Sequence, residues 1–183
     1  PIDRMADITT NIQTAYGLSS DKMTKIADVL TSVTNSTNTN VLEMGEAMKF
    51  AAPMKSLAHI SFNEAAASIG LLANAGLKGT VAGTALRAMM VRLLNPTKKG
   101  QEVIDKYSLS LKEVNKQTGK VQVRSLADIF GQLNDKKATL EDIIKLFDKI
   151  GGNAANNIYA HLRQLPNLLA RSTISSGLAQ EIA

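Results

Sequence analysis

The stretch GLLANAGLKGTVAGTALRAMMVRLLNPT, residues 70–97, decides the fold because glycines interrupt a run that otherwise favours helix. The four glycines are Gly70, Gly76, Gly79 and Gly83. A glycine inside a helix costs about 1 kcal/mol relative to alanine, so each of them needs a structural reason. Three interpretations are open: a membrane span, a loop that cradles phosphate, or two helices joined by a turn.

The residues before this stretch predict the start and the end of a first helix. Ser61 to Glu64 has the capping-box pattern, in which the serine oxygen accepts from a free backbone N–H and the glutamate returns to the serine N–H. We expect this helix to end at Gly76, which can take the positive φ of a Schellman end. Leu77 would then fold back onto Leu72.

A second helix is predicted to begin at Thr80 and to end before Pro96. The run is too short for a membrane span, and Arg87 and Arg92 would face lipid. The segment GLKGTVAG lacks the Gly-Lys-Ser/Thr ending of a phosphate loop, and no strand precedes it. Two packed helices are therefore the favoured interpretation.

In this interpretation Gly76 and Gly79 form the turn, while Gly70 and Gly83 lie inside the helices. A missing side chain lets two helix backbones approach closely, which would offset the cost of an interior glycine. We predict a direct contact between the two helices through small residues. These are Ala66, Gly70, Ala82 and Gly83.

Short helices with start and stop signals recur along the rest of the chain. Their predicted N-terminal caps are supplied by Ser19–Asp21, by Thr39 or Asn40, by Ser125 and by Thr139. We expect the helix that begins at Thr139 to end at Gly151-Gly152, followed by a last pair of short helices around Pro166.

The segment between residues 108 and 125 departs from this helical pattern. Its apolar residues alternate around Thr118-Gly119, which predicts a small β-hairpin near residues 109–123. The fold class is therefore mainly α, a bundle of short packed helices with one hairpin. We expect residues 1–18 to be a helical lead-in, 19–171 the helical core module, and 172–183 a tail or the start of the next segment.

The composition favours helix packing and limits the chemistry that the side chains can perform. Of the 183 residues, 44% are hydrophobic and 4% aromatic, which suits helix packing better than a β-sandwich. The absence of cysteine excludes thiol nucleophiles and thiolate metal sites. The two histidines, His59 and His161, have no partner at metal-ligand spacing. We therefore predict no catalytic residues, no metal, no cofactor and no enzymatic activity, and we expect neither a membrane span nor a leader.

The net charge of +5 is concentrated in residues 98–124, which hold seven basic and three acidic residues. This window is either a surface for an acidic partner, such as nucleic acid or a negative protein face, or a solvated lysine-rich face. The candidate residues for an acidic partner are Lys98, Lys99, Lys116, Lys120 and Arg124.

Three runs of the sequence resemble the core region of phage tail tape-measure proteins. They are ADVLTSVTNSTNTNVLEMGEAMKFAAP (residues 27–53), SFNEAAASIGLLANAGLKGTVAGTALRAMMVRLLNPT (61–97) and RSLADIFGQLNDK (124–136). A weaker resemblance covers KIGGNAANNIYAHL (149–162). The middle run is the most specific of them.

The resemblance implies a virion structural protein that is made in the cytoplasm of a bacterial host. Proteins of this family lie inside the tail tube, set the tube length and leave with the DNA at infection. The implied partners are tail tube, tail-tip or tail-assembly chaperone proteins, with self-association in the tail. Because such proteins are usually long, we expect these residues to be one domain of a longer chain.

Two other functions stay open. The basic window would suit a helical module that contacts DNA, and the apolar faces of residues 80–94 would suit a membrane- or wall-active segment used at genome entry. A continuous helix of this length would measure about 270 Å. The glycine and proline breaks instead predict a folded module with a radius of gyration of roughly 16 Å, so we expect a module within the ruler chain and not the ruler itself.

Overall fold

The computed structural model describes residues 2–114, 119 and 121–161. Six helices come first: α1 (Ile2–Tyr16), α2 (Met23–Ser36), α3 (Val41–Ala51), α4 (Pro53–Ala58), α5 (Phe62–Asn74) and α6 (Gly79–Leu94). They are followed by α7 (Lys98–Lys106), β1 (Lys112–Val114), β2 (Val121–Val123), α8 (Leu126–Asp135) and α9 (Leu140–Ala160). The predicted mainly α fold with one small hairpin is confirmed.

Helix α6 lies in the middle of this arrangement. It packs against α3 on one side and against α9 on another, while α1 covers α3, α2 lies on α5, and α7 lies on α9. Leu86 and Met89 of α6 are fully buried, and so are Met44 and Met48 of α3. Tyr16, in α1, belongs to the same hydrophobic core.

The turn between α5 and α6 has the predicted Schellman geometry. The N–H of Leu77 donates to the carbonyl of Leu72 at 2.8 Å, and the N–H of Gly76 donates to the carbonyl of Ala73 at 3.0 Å. Gly76 has φ = 87° and Gly79 has φ = 53°, a region that side chains disfavour. These two glycines therefore reverse the chain between the helices.

The predicted contact of Gly70 with Gly83 across α5 and α6 is wrong. A Cβ at Gly83 would meet the carbonyl of Ala47 and lie 2.8 Å from the Cβ of Phe50, both in α3. A Cβ at Gly70 would lie 2.7 Å from Cγ1 of Val33, in α2. Each glycine does admit a close neighbour, but the neighbours belong to two different helices, because the turn points the two small positions to different sides.

The caps of α3 and α5 follow the sequence pattern, except for one side chain. Asn40 and Glu43 form a complete capping box on α3. Ser61 accepts from the N–H of Glu64 at 3.1 Å, but the glutamate does not return to Ser61. Its carboxylate accepts from the N–H of Leu126 at the start of α8. Glu64 therefore joins two helices that are distant in sequence.

The predicted end of α9 at Gly151-Gly152 is also wrong. Helical geometry fails earlier, at Asp148 (φ = 60°, ψ = −179°), and resumes through both glycines to Ala160. A Cβ at Gly151 would lie 3.3 Å from Cγ of Met89, whereas a Cβ at Gly152 would lie 2.9 Å from Cα of Ile144. The two glycines thus permit close packing beside the kink and do not end the helix.

Strands β1 and β2 are antiparallel, with Lys112 opposite Val123 and Val114 opposite Val121. Pairing begins at Lys112, and the buried Leu109 and Leu111 precede the strand. The predicted helices around Pro166 and the predicted boundary at residues 171–172 lie outside the described residues.

Candidate interaction surface

The structure describes three of the five basic residues that the sequence analysis named for an acidic partner. Lys98 and Lys99 are exposed in the first turn of α7. Arg124 is engaged with neighbours: its Nη1 lies 3.3 Å from Oε2 of Glu113 and 3.1 Å from Oδ2 of Asp128. Lys116 and Lys120 lie outside the described residues. A surface for an acidic partner at these positions therefore stays a prediction.

The histidines occupy helix ends. His59 caps the end of α4 in a left-handed conformation and is exposed. His161 follows α9, and its Nδ1 lies 2.9 Å from the carbonyl oxygen of Asn157. Among the described residues, no group of three or more histidine or carboxylate side chains is arranged to hold a metal ion.

A buried carboxylate, Asp142, fastens α7 to the first turn of α9. Its Oδ2 accepts from Nζ of Lys106 at 2.7 Å and from the hydroxyl of Tyr107 at 2.7 Å. Thr139 adds a third hydrogen bond at 3.0 Å, and only 7% of the Asp142 side chain is exposed. The bonds from Lys106 and Tyr107 lower the pKa of Asp142 to about 2. Because the lysine and the tyrosine both donate to this carboxylate, the cluster joins α7 to α9 through contacts within the chain.

A groove between α6 and the second part of α9 was not predicted from the sequence. It consists of two cavities of about 520 Å³ and 470 Å³ that share Thr84, Lys149 and Ile150. The first cavity lies beside residues 84–92 and 147–151, and the second beside residues 77–85 and 149–154. The two helix segments therefore run antiparallel and line both cavities, which adjoin at the shared residues and are together called the groove.

The groove is largely apolar and open to solvent. Ile150 is 66% exposed and Val81 is 56% exposed, which is high for large apolar side chains. Ala88 and Val91 also line it and are half-buried. The opposite face of α6 carries the buried core residues, so this helix is apolar on more than one side. Apolar residues on more than one side are typical of a helix that packs against neighbours on each of those sides.

Asp148 marks one end of the groove and adopts a backbone conformation that is close to glycine-specific. Its Oδ1 accepts from the N–H of Lys149 at 2.8 Å, and its Oδ2 lies 2.8 Å from Nη2 of Arg92. These contacts, with the N–H of Lys149 first, lower the pKa of Asp148. The ion pair holds the kink of α9 against α6.

Two further cations border the groove. The side chain of Arg87 is exposed and has no hydrogen-bond or ion-pair partner among the described residues. The ammonium group of Lys149 has none there either, although its charge acts on Asp148. The sequence contained a signal for this surface. Val81, Thr84, Ala88 and Val91 recur at helical spacing, on the face of α6 opposite the buried Leu86 and Met89.

Comparison with known proteins identifies the family of this chain. Residues 1–152 match the family described as phage-related minor tail protein. The chain belongs to this family. The match covers every described helix except the last turns of α9, so the groove between α6 and α9 lies almost wholly within the region that this minor tail protein family defines.

Two relatives of this minor tail protein confirm the resemblance that the sequence analysis identified. One is a tape measure protein of Pneumococcus phage Dp-1, 32% identical over 176 residues, which cover 92% of the chain and 15% of the relative. Another is a probable tape measure protein of Escherichia phage P2, 35% identical over 103 residues, which cover 56% of the chain and 13% of the relative. The chain thus spans about one-seventh of the length of these relatives. No solved structure matches it significantly.

Proposed function

We propose that this chain is a folded structural module of a tape-measure protein in a phage tail, and that it acts by protein contacts and not by catalysis. Family membership and the two tape-measure relatives support the assignment. The observation that carries the module role is the way in which short helices fold back around α6. The longest described helix, α9, has 21 residues and is kinked at Asp148.

We propose that this segment has a role other than measuring length. A straight helix of 21 residues spans only about 30 Å. Length measurement needs an extended element, so we propose that it belongs to other parts of the tape-measure chain. The partners that we propose for the module are tail tube, tail-tip or tail-assembly chaperone proteins, and other copies of the same chain. The proposed location is the virion tail after synthesis in the cytoplasm of the bacterial host.

The two other functions receive less support. Of the basic window, Lys106 and Arg124 are committed to carboxylates of this chain, which lowers the charge free for DNA. Every helix in the described part of the chain is too short or too polar to cross a bilayer. Neither finding favours a DNA-contacting or a membrane-active role, and we do not propose one.

The experiment introduces Leu86→Asp into the tape-measure gene of the phage that carries this sequence. Leu86 is fully buried in α6, and an unpaired buried carboxylate costs several kcal/mol, so the module should unfold. Thr31→Asp, which adds the same side chain at an exposed position of α2, is the matched control. We expect the control to give normal particles and Leu86→Asp to give no infectious particles with normal tails, as counted by plaque titre and electron microscopy. Normal tails and infectivity with Leu86→Asp would contradict the proposed role.

A further inference from the structure

We propose that the groove between α6 and α9 is the docking site for an acidic amphipathic helix of another tail protein. This inference rests on the proposed function, because it names the kind of partner that the module would hold. Three observations carry it: the shape of the groove, its apolar floor and the charge of its rim.

The shape of the groove fits a helix. Its walls are two antiparallel helix segments, and on the α6 side it extends from Leu77, in the preceding turn, to Arg92. At 1.5 Å per residue this is about 20 Å, or roughly four helical turns. A third helix laid between two antiparallel helices completes a three-helix layer, which is a common way for a peptide to bind a helical protein.

The floor of the groove requires an apolar partner. Val81 and Ile150 expose more than half of their surface, and Ala88 and Val91 continue the apolar floor from Ile150 towards Arg92. An incoming helix would cover this floor with apolar side chains at i, i+3 or i+4, and i+7. A phosphate backbone would leave the same floor uncovered, and for this reason we favour a protein over a nucleic acid.

The rim of the groove selects acidic residues. Arg87 extends from the α6 wall and Lys149 from the α9 wall, so cations flank the floor on both sides. Asp148 is already neutralised by Arg92. A partner helix that carries glutamates on both sides of its apolar stripe would therefore match the charge of both walls.

The positive charge of the rim argues against a dimer in which this groove packs against the groove of a second copy of the chain. In a symmetric dimer the same patch of both chains meets, so Arg87 and Lys149 of each chain would bring four cations into one interface. Like charges across an interface are unfavourable when water is excluded. The charge of the groove therefore favours a different, acidic partner.

The test uses the full 183-residue chain, which has no native cysteine and so accepts a single fluorescent label cleanly. Ile150→Cys places the label in the groove, and Thr31→Cys, at an exposed position of α2, is the matched control. The probe is a synthetic peptide of about four helical turns with leucines at i, i+4 and i+7 and glutamates on both flanks. Control peptides have the same composition in scrambled order, or lysine in place of each glutamate.

We expect the glutamate peptide to change the emission of the label at residue 150 and not at residue 31, with binding that weakens as salt is added. The double variant Arg87→Glu/Lys149→Glu should bind the glutamate peptide with an affinity lower by about tenfold or more, and should bind the lysine peptide more tightly than the parent chain does. Exchange of preference between the two peptides would show that the rim charges select the partner, which a general loss of folding would not produce.

Other outcomes would overturn the proposal. The label at residue 150 could already be shielded from solvent in the free chain, which would show that another part of this chain fills the groove. Shielding that appears only at high protein concentration would show that a second copy fills it. Equal binding of all peptides would remove the selectivity, and binding of duplex DNA in place of the glutamate peptide would point to a nucleic acid. None of these results bears on the phage experiment with Leu86→Asp, which tests the core of the module.

Discussion

At the scale of single residues, the four glycines of the first quoted stretch do two different things. Gly76 and Gly79 have positive φ and turn the chain, whereas Gly70 and Gly83 leave space for neighbouring helices. Asp148 has a conformation that glycine would adopt at less cost, and its carboxylate accepts hydrogen bonds from Arg92 of α6 and from the N–H of Lys149. Local strain of this kind occurs frequently at functional surfaces.

Replacement of Gly83 by alanine tests the close contact of α6 with α3. The new Cβ would meet the backbone of Ala47 as well as the Cβ of Phe50, so neither neighbour can move away easily. We expect Gly83→Ala to lower the free energy of unfolding by about 1–3 kcal/mol, as measured by urea denaturation.

Gly131→Ala is the matched control, because Gly131 lies inside α8 with nothing within 4 Å of an added Cβ. Here alanine should raise the free energy of unfolding by up to about 1 kcal/mol through its helix propensity. Equal effects of the two substitutions would show that α3 does not approach α6 as closely as the structure has it.

At the scale of elements, side chains from distant parts of the sequence fix how the helices meet. Glu64 of α5 accepts from the first N–H of α8, and burial raises the pKa of this carboxyl. Asp142 joins α7 to α9, and its pKa is lowered. The two carboxylates therefore influence stability in opposite directions as the pH changes.

Asp142 gives a prediction about acid stability. Its pKa is lower in the folded chain than in the unfolded one, so its contribution is complete above pH 4 and is lost as the pH falls towards about 2. Asp142→Asn removes the charge that Lys106 and Tyr107 bind, and we expect a loss of roughly 1.5–3 kcal/mol at pH 7. The difference between the variant and the parent chain should shrink between pH 4 and pH 2 in urea unfolding. A difference that stays constant over this range would disprove the assigned role.

At the scale of the whole molecule, the fold class and most element boundaries follow from local patterns. The caps at Asn40, Ser125 and Thr139 and the Schellman turn at Gly76 are encoded within a few residues, so the sequence alone predicts them. The kink of α9 at Asp148 depends on Arg92, which is 56 positions away, and so the nearby Gly151-Gly152 misdirected the prediction.

The groove was missed for a related physical reason. A small residue indicates that some helix comes close, but not which one, and therefore the neighbours of Gly70 and Gly83 were assigned wrongly. Likewise, Val81 and Ile150 are far apart in sequence, and only the packing of α9 on α6 places them along one groove. A surface that is built by tertiary packing is therefore found from the structure and not from local sequence patterns.

Small-angle X-ray scattering of the isolated 183-residue chain tests the central claim most directly, which is that these helices fold back into one module. Compact packing around α6 predicts a radius of gyration of roughly 16 Å and a pair-distance distribution with a single symmetric maximum. A rod-like profile with a maximum dimension that approaches the length of a continuous helix, about 270 Å, would contradict it.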